Sequence, residues 1–552
     1  MAFEIRSLRK VCARPASKHS LALEQRARLS SRPVRSACAL LTILASAAPG
    51  CTSTKVPSRQ GAGQSGVMDV GGAESAGGSG AESGGDPATG AGNDAGGAAT
   101  AGGAATSGGA PTSGGSSGSP SSGGKGSGGA SGAAGLGSSG GSAVLLLPWD
   151  WHGVVGTGQS LAVGDHGVPV ASTMQPYHNL KLSTGNLPWP VDPNNATLMM
   201  VPLVEPIGRS APNYPSSWPT NISGETAHAS MGNQITALVQ QASGADFISV
   251  QGEIGENGQC FRFLRKGATE VPPNGRAYAA TLVETQAITR LAKLQGKTYG
   301  VGAVIVTHGE CDAGSQTYAA DLYQLWSDYN TDLSAITGQT QKLQMIVSQQ
   351  NSGGTASTLA QWKIGVDHAA DVVCSGPKYQ YSYATDGIHL VTDGYRQLGE
   401  KYGEVYFERV VLGHDWQPLQ PTGVVRSSAR VVTVNFHVPV PPLTWETAFS
   451  TPHQAIAPWS AGKGFELRAG NTMLTISSVA ISGSSVQITC TTDLPASGVT
   501  VGYALTADAV ARATPSAGTI HWGLLRDSDP FVGIMTKKAQ PNYSVAFEMP
   551  VP

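Results

Sequence analysis

The sequence predicts an α/β region built on a parallel sheet covered by helices, followed by an antiparallel β-sandwich. Three observations carry that prediction. Short runs rich in Val and Ile alternate with long amphipathic stretches between residues 143 and 413. Helical periodicity then stops, and residues 414–552 hold alternating runs separated by turn signals such as Ser482-Gly483-Ser484. Ahead of both, many of the 72 glycines crowd into the first quarter of the 552 residues, so the core must come from the remainder.

The first fifty residues read as an export signal. Arg6, Arg9, Lys10, Arg14, Arg26, Arg28, Arg32 and Arg35 precede an apolar run, Ala37 to Ala48, that ends in Ala48-Pro49-Gly50-Cys51. The run is short for a membrane span. The cysteine after small residues resembles a bacterial lipobox, although Ala48 stands where leucine is typical and Pro49 is unusual. That resemblance makes Cys51 the lipidation candidate and the chain an outer-membrane or cell-surface lipoprotein. The alternative is ordinary cleavage nearby, which leaves a secreted, free protein. Residues 51–142 are then a linker, almost entirely Gly, Ser, Ala and Thr from about Gly61. Such a segment cannot bury enough apolar surface to offset its ordering entropy. A flexible coil of roughly 80 residues spans about 50 Å r.m.s., long enough to act as a leash.

Within 143–413 the strand candidates are Val154–Gly156, Leu198–Val204, Phe247–Val250, Gly302–Thr307, Leu343–Ser348 and Ala370–Cys374. Pro202 weakens the second. Ala277–Leu294 has apolar residues at helical spacing (Ala280, Leu282, Ala287, Ile288, Leu291), and so does Tyr318–Ile336 (Leu322, Leu325, Trp326, Tyr329, Leu333). The stretch after His389 repeats the pattern with Tyr395, Leu398, Tyr402, Val405 and Tyr406. Sheets of this kind bind ligands at the carboxyl ends of their strands.

Three motifs fall at or just after such ends, and a fourth opens a turn before a helix. Gly156-Thr157-Gly158-Gln159-Ser160 sets a serine in a glycine-flanked turn. Its N–H would open a helix, where it can stabilise an oxyanion. Asp386-Gly387-Ile388-His389 places a carboxylate three residues before an imidazole. Together they hold the parts of an activated serine nucleophile: Ser160 attacks, His389 takes its proton, and Asp386 orients the ring. Each has a plainer reading, a glycine turn with a serine and a helix N-terminal Asp with a surface His. Gly252 to Gln259 and Thr307-His308-Gly309-Glu310-Cys311-Asp312 add glycine and polar groups after two further strands. Glu310 and Asp312 also admit reading as metal ligands or a glycosidase pair, but no second cluster of suitable spacing accompanies them.

In this order the motifs resemble the SGNH/GDSL hydrolases, and within them the sialate O-acetylesterase-like carbohydrate esterases. Gly158-Gln159-Ser160 resembles the nucleophile block and Gly224-Glu225-Thr226 a stretch of related sequences. His308-Gly309-Glu310-Cys311-Asp312 resembles a Gln-Gly-Glu-Ser-Asp block, and Asp386-Gly387-Ile388-His389-Leu390 the Asp-x-x-His block. The resemblance implies a three-layer αβα sandwich of SGNH/flavodoxin-like type over 143–413. It implies an acyl-enzyme mechanism on Ser160, Asp386 and His389, with no cofactor and no metal. The oxyanion hole would be the N–H groups of Ser160 and Gly258 with the His308 side chain. Gln159, Glu310 and Asp312 would fix the loops around it. The implied substrate is an acetylated oligo- or polysaccharide, with a lipase or thioesterase, or a non-catalytic carbohydrate-binding protein, as alternatives. The sequence departs from the family at Leu161, His308 and Cys311, where asparagine, glutamine and serine are usual.

Composition narrows the partners. A net charge of -2 and 13% charged residues give no general pull toward nucleic acid or an anionic membrane, so membrane contact is expected only through the N-terminal lipid. Cys260, Cys311, Cys374 and Cys490 permit two disulfides, with the pairing open. In the C-terminal region Ala429–Val438, Thr472–Ile481, Val486–Thr491, Val499–Ala504 and Tyr543–Phe547 are the strand candidates. Trp459, Tyr503 and Trp522 could stack on sugar or fill the core. Gly523-Leu524-Leu525-Arg526-Asp527-Ser528 resembles a Gly-Asn-Leu-Arg-Asp-Ser stretch of some SGNH proteins with such a tail, which suggests packing back onto the first domain.

Overall fold

The computed structural model describes residues 145–183, 191–210, 222–268, 276–351, 355–507 and 521–552. The export signal, Cys51 and the linker lie outside these residues. No helix among the described residues is long and apolar enough to cross a membrane.

The first strand among the described residues is β1 (Trp151–Gly158), every residue of which is buried. β2 (Leu180–Ser183), β3 (Met199–Pro202), β4 (Arg209–Ser210), α1 (His228–Ser243) and β5 (Ile248–Gly255) follow. The short α2 (Phe261–Leu264), α3 (Ala277–Leu294), β6 (Tyr299–Thr307), α4 (Tyr318–Thr337), β7 (Gln344–Val347), α5 (Thr355–Asp367), β8 (Val372–Cys374) and α6 (Thr392–Tyr406) complete the α/β region. The sheet runs β3-β2-β5-β1-β6-β7-β8, with β4 beside the end of β5. It is mixed rather than wholly parallel, because β3 folds back antiparallel to β2. β1, β5, β6, β7 and β8 are mutually parallel.

Alternate residues of the central strands serve two apolar clusters. Val155, Val304 and Val306 join Leu291 of α3 and Leu322 of α4. Val154, Ala303, Ile305 and Ile346 join Ile235 of α1 with Leu398 and Tyr402 of α6. Both faces of these strands are therefore covered, which explains their nearly continuous apolar runs. Helix α1 buries Ser230, Asn233, Gln234 and Thr236 as well as apolar residues. It lies close against α6, where a Cβ on Gly399 would come within 2.0 Å of the Ala227 carbonyl oxygen.

His152 of β1 is buried and stacked on Phe247, with ring centroids 4.3 Å apart. Burial pushes its pKa from 6.5 down to about 4, against the opposing pull of Asp150. Between those pH values the unfolded chain binds a proton that the folded chain refuses. Stability from this group is thus full above pH 6.5 and is lost as pH falls toward 4. From pH 7 to pH 5 the loss is roughly 2 kcal/mol. His152→Phe keeps an aromatic ring and removes the titration, so urea unfolding should show it less acid-sensitive than the wild type by about that amount. Parallel stability curves for the two proteins would contradict this.

The C-terminal region is antiparallel throughout. It comprises β9 (Gln420–Arg426), β10 (Val431–His437), β11 (Thr444–Trp445), β12 (Phe465–Ala469) and β13 (Thr472–Met473). β14 (Ile476–Ser482), β15 (Ser485–Cys490), β16 (Val499–Tyr503), β17 (Leu525–Arg526) and β18 (Phe547–Val551) follow. Two four-stranded sheets, β14-β15-β10-β9 and β13-β12-β16-β18, accompany the β11–β17 pair. Phe436 of β10 meets Phe465 of β12 and Phe547 of β18 edge to face. Trp459, Tyr503 and Trp522 are buried, which leaves them as core residues with no free face for a sugar.

This region is joined to the α/β region by many polar contacts. Glu400 of α6 accepts hydrogen bonds from the Met535 and Thr536 N–H groups and from the Gln540 side chain. Lys401 donates to the Gln540 carbonyl and to Asn542. Among the described residues, the 523–528 motif does not make the expected contact with the first domain; its hydrogen bonds tie the C-terminal region to itself. Asp527 is fully buried and accepts from the N–H groups of Val440 and Asn542 and from the Asn542 amide.

Candidate active site

β1 lies in the middle of the sheet, with β5 on one side and β6 on the other. The chain after β1 builds one half of the sheet and then, from β6, the other half. The carboxyl end of β1 is therefore where connections diverge and a crevice opens. Ser160 stands there, two residues beyond the strand. Gly158 makes the turn possible. Its φ is 153°, and a Cβ on it would lie 2.0 Å from the Thr307 carbonyl oxygen. The turn closes with the Ala162 and Val163 N–H groups on the Gln159 carbonyl and the Asp165 N–H on that of Ser160.

Two neighbouring loops are tied to this turn. The Glu256 N–H donates to the Gly158 carbonyl, which brings in the loop after β5. Gly258 in that loop has φ 67°, and a Cβ there would meet nothing, so backbone conformation is what glycine supplies. The buried Gln159 side chain accepts from the Cys311 N–H at 3.3 Å, which fixes the loop after β6. A disulfide joins Cys260 and Cys311 and holds the two loops together. Asp312 adds a further tie by accepting from the Phe261 N–H. Cys374 and Cys490 are buried free thiols.

His308 does not have the role of an oxyanion donor in this geometry. It is fully buried, with Nδ1 2.8 Å from the Tyr318 hydroxyl and Nε2 3.1 Å from the Gln259 carbonyl. Burial holds its pKa below the ordinary value, so the ring is neutral. The carbonyl only accepts, which puts the single ring proton on Nε2 and leaves Nδ1 to accept from Tyr318. No N–H remains for a substrate. His308 braces the Gln259 loop from below, next to Gly258.

Glu310 pairs with the buried Lys378 at 3.2 Å, while its other oxygen is buried with no hydrogen-bond partner among the described residues. Asn257 Oδ1 is also buried with no partner among the described residues. Glu225 of the Gly-Glu-Thr stretch accepts from the Ala171 and Ser172 N–H groups, so its task is to hold the segment after the serine turn.

Asp386 and His389 form a tight turn ahead of α6. Asp386 Oδ1 accepts from the N–H groups of Ile388 and His389 at 2.9 and 3.0 Å. Its Oδ2 meets His389 Nδ1 at 2.5 Å. Burial alone would raise the Asp386 pKa, but the His389 ring and the two N–H groups outweigh it and hold the carboxyl below its ordinary value. With Nδ1 on Asp386, His389 Nε2 is buried and has no hydrogen-bond partner among the described residues. No hydrogen bond between Ser160 and His389 is made. In enzymes without substrate such bonds are commonly long and close on binding.

The segment after Ser160 and the Asp386–His389 turn are in direct contact. The Tyr395 hydroxyl of α6 donates to the Asp165 carbonyl at 2.7 Å. His166 lies flat on His389, with centroids 4.5 Å apart and planes 10° from parallel. Its Nε2 is 3.7 Å from Asp386 Oδ2. Sequence reasoning missed His166; the nearby signal was its place between Gly164 and Gly167 in a chain already turning. Two groups among the described residues bring metal-type donors within 4.8 Å, Asp165–His166–His389 and Cys260–Cys311–Asp312. In the first, His389 Nδ1 is already held by Asp386. The cysteines of the second are joined to each other.

No protein-family model matches the sequence, and no curated protein matches it. Solved structures similar to this chain include a carbohydrate acetylesterase from Xanthomonas citri, at 13% identity and a TM-score of 0.43, covering 72% of this chain and 80% of that one. A protein from Arabidopsis thaliana is 17% identical with a TM-score of 0.34, covering 48% and 100%. A carbohydrate acetylesterase from Sinorhizobium meliloti is 11% identical with a TM-score of 0.24, covering 46% and 96%.

Proposed function

We propose that this protein is a serine esterase of the SGNH kind that removes O-acetyl groups from carbohydrate. The observation that carries the reading is the Asp386–His389 pair, 2.5 Å apart, with His389 Nε2 buried, unpartnered among the described residues, and the ring beside the segment that follows Ser160. In this account Ser160 Oγ attacks the ester carbonyl and His389 Nε2 takes its proton. Asp386 keeps the ring in the tautomer that leaves Nε2 free to accept and stabilises the imidazolium. The N–H groups of Ser160 and Gly258 receive the oxyanion. His389 then protonates the departing sugar oxygen, and water activated by the same ring releases acetate from the acetyl-enzyme.

The substrate class rests on the motif resemblance. The same reading takes residues 143–413 as a three-layer αβα hydrolase domain and 414–552 as an accessory β-sandwich. It takes residues 1–50 as an export signal with a lipid on Cys51, and 51–142 as the leash to the surface. Acetate release from acetylated xylan, set beside hydrolysis of p-nitrophenyl esters of rising chain length, tests the substrate class. The expected profile is highest at acetyl and falls steeply by butyryl. A maximum at octanoyl or longer would replace the reading with a lipase or thioesterase.

A further inference from the structure

His166 has no part in the three-residue mechanism, yet it covers the residue that mechanism depends on most. It lies six positions after Ser160 with φ 64°, a left-handed conformation uncommon for a side chain other than glycine. The backbone around it is pinned. The Gly167 N–H donates to the Gly164 carbonyl, the Val168 N–H to that of His166, and the Gly224 and Glu225 N–H groups to those of Gly164 and Gly167. That backbone delivers the ring flat onto His389 at 4.5 Å and sets Nε2 3.7 Å from Asp386. His166 is itself about half exposed, whereas the His389 side chain retains only 14% exposure.

We infer that His166 is a positioning residue for His389, an inference that rests on the proposed triad. The stacked ring blocks His389 from swinging outward, which would take Nδ1 off Asp386 and Nε2 away from the serine turn. It also shields the Asp386–His389 hydrogen bond from competing water. The effect belongs to the chemical step rather than to substrate binding. Small displacements of a reacting group cost up to about 100-fold in rate.

The test uses the full chain with p-nitrophenyl acetate and three variants. His166→Asn suits the left-handed backbone and removes the ring. His166→Phe restores a flat ring without the nitrogens. Ser160→Ala reports on the triad itself. The expected result is a fall in kcat of about 10-fold or more for His166→Asn at nearly unchanged KM, with His166→Phe recovering most of the loss. Wild-type kcat in His166→Asn, with Ser160→Ala inactive, overturns the His166 role and leaves the triad standing. A His166→Phe enzyme that is folded by circular dichroism but as slow as His166→Asn also overturns it. Activity persisting in Ser160→Ala removes the triad and the inference with it.

Discussion

Ser160→Ala should lower kcat for p-nitrophenyl acetate by about 10⁶-fold, the loss seen when the nucleophile of a comparable triad is removed. Three features argue for so large an effect at this position. Ser160 sits at the carboxyl end of the central strand, where the connections diverge. Its turn depends on Gly158, which no residue with a Cβ can replace without striking the Thr307 carbonyl. Its side chain makes no hydrogen bond among the described residues, so removing its hydroxyl breaks none. The variant should therefore unfold at the same urea concentration as the wild type while losing hydrolysis. A variant that hydrolyses the ester at a rate within 10-fold of the wild type would contradict the assignment.

Asp386→Asn should lower kcat by about 10⁴-fold with little change in fold. The carboxylate does two things at once. Oδ1 ties down the turn through the Ile388 and His389 N–H groups, and an asparagine oxygen can keep both bonds. Oδ2 fixes the ring through Nδ1. In the variant the amide NH₂ faces Nδ1 and favours the tautomer with the proton on Nε2, which cannot accept a proton from Ser160. Because its hydrogen bonds hold the Asp386 carboxyl below the ordinary range, this aspartate stays ionised through neutral pH and well into the acid. The acid decline of kcat/KM should thus follow a group other than Asp386. Comparable kcat in the variant and the wild type would show that no carboxylate is needed.

What the sequence revealed was what depends on neighbours along the chain. The serine turn and the Asp386–His389 turn are local, set by glycine and by a three-residue spacing. Helices α3, α4 and α6 bury apolar residues at regular spacing, and the reading of α3 has the bounds seen in the structure. Helix α1 escaped because the face it buries includes Ser230, Asn233, Gln234 and Thr236, so apolar periodicity has little to detect. The short β2 was missed, and with it the antiparallel β2–β3 pairing that makes the sheet mixed. His308 stands in a donor's place by resemblance, but only the fold shows that Tyr318 and Gln259 engage both of its nitrogens. His166 was invisible for the same reason. Its partner, His389, is more than two hundred residues away, and no local pattern encodes a stack between them.

Labelling with a fluorophosphonate, followed by peptide mapping by mass spectrometry, tests the nucleophile most directly. The account predicts a single adduct on the peptide that carries Ser160, formed in step with loss of esterase activity and nearly absent in His389→Ala. Full loss of activity with the adduct on another serine, or ester hydrolysis that continues unchanged with Ser160 modified, would contradict it.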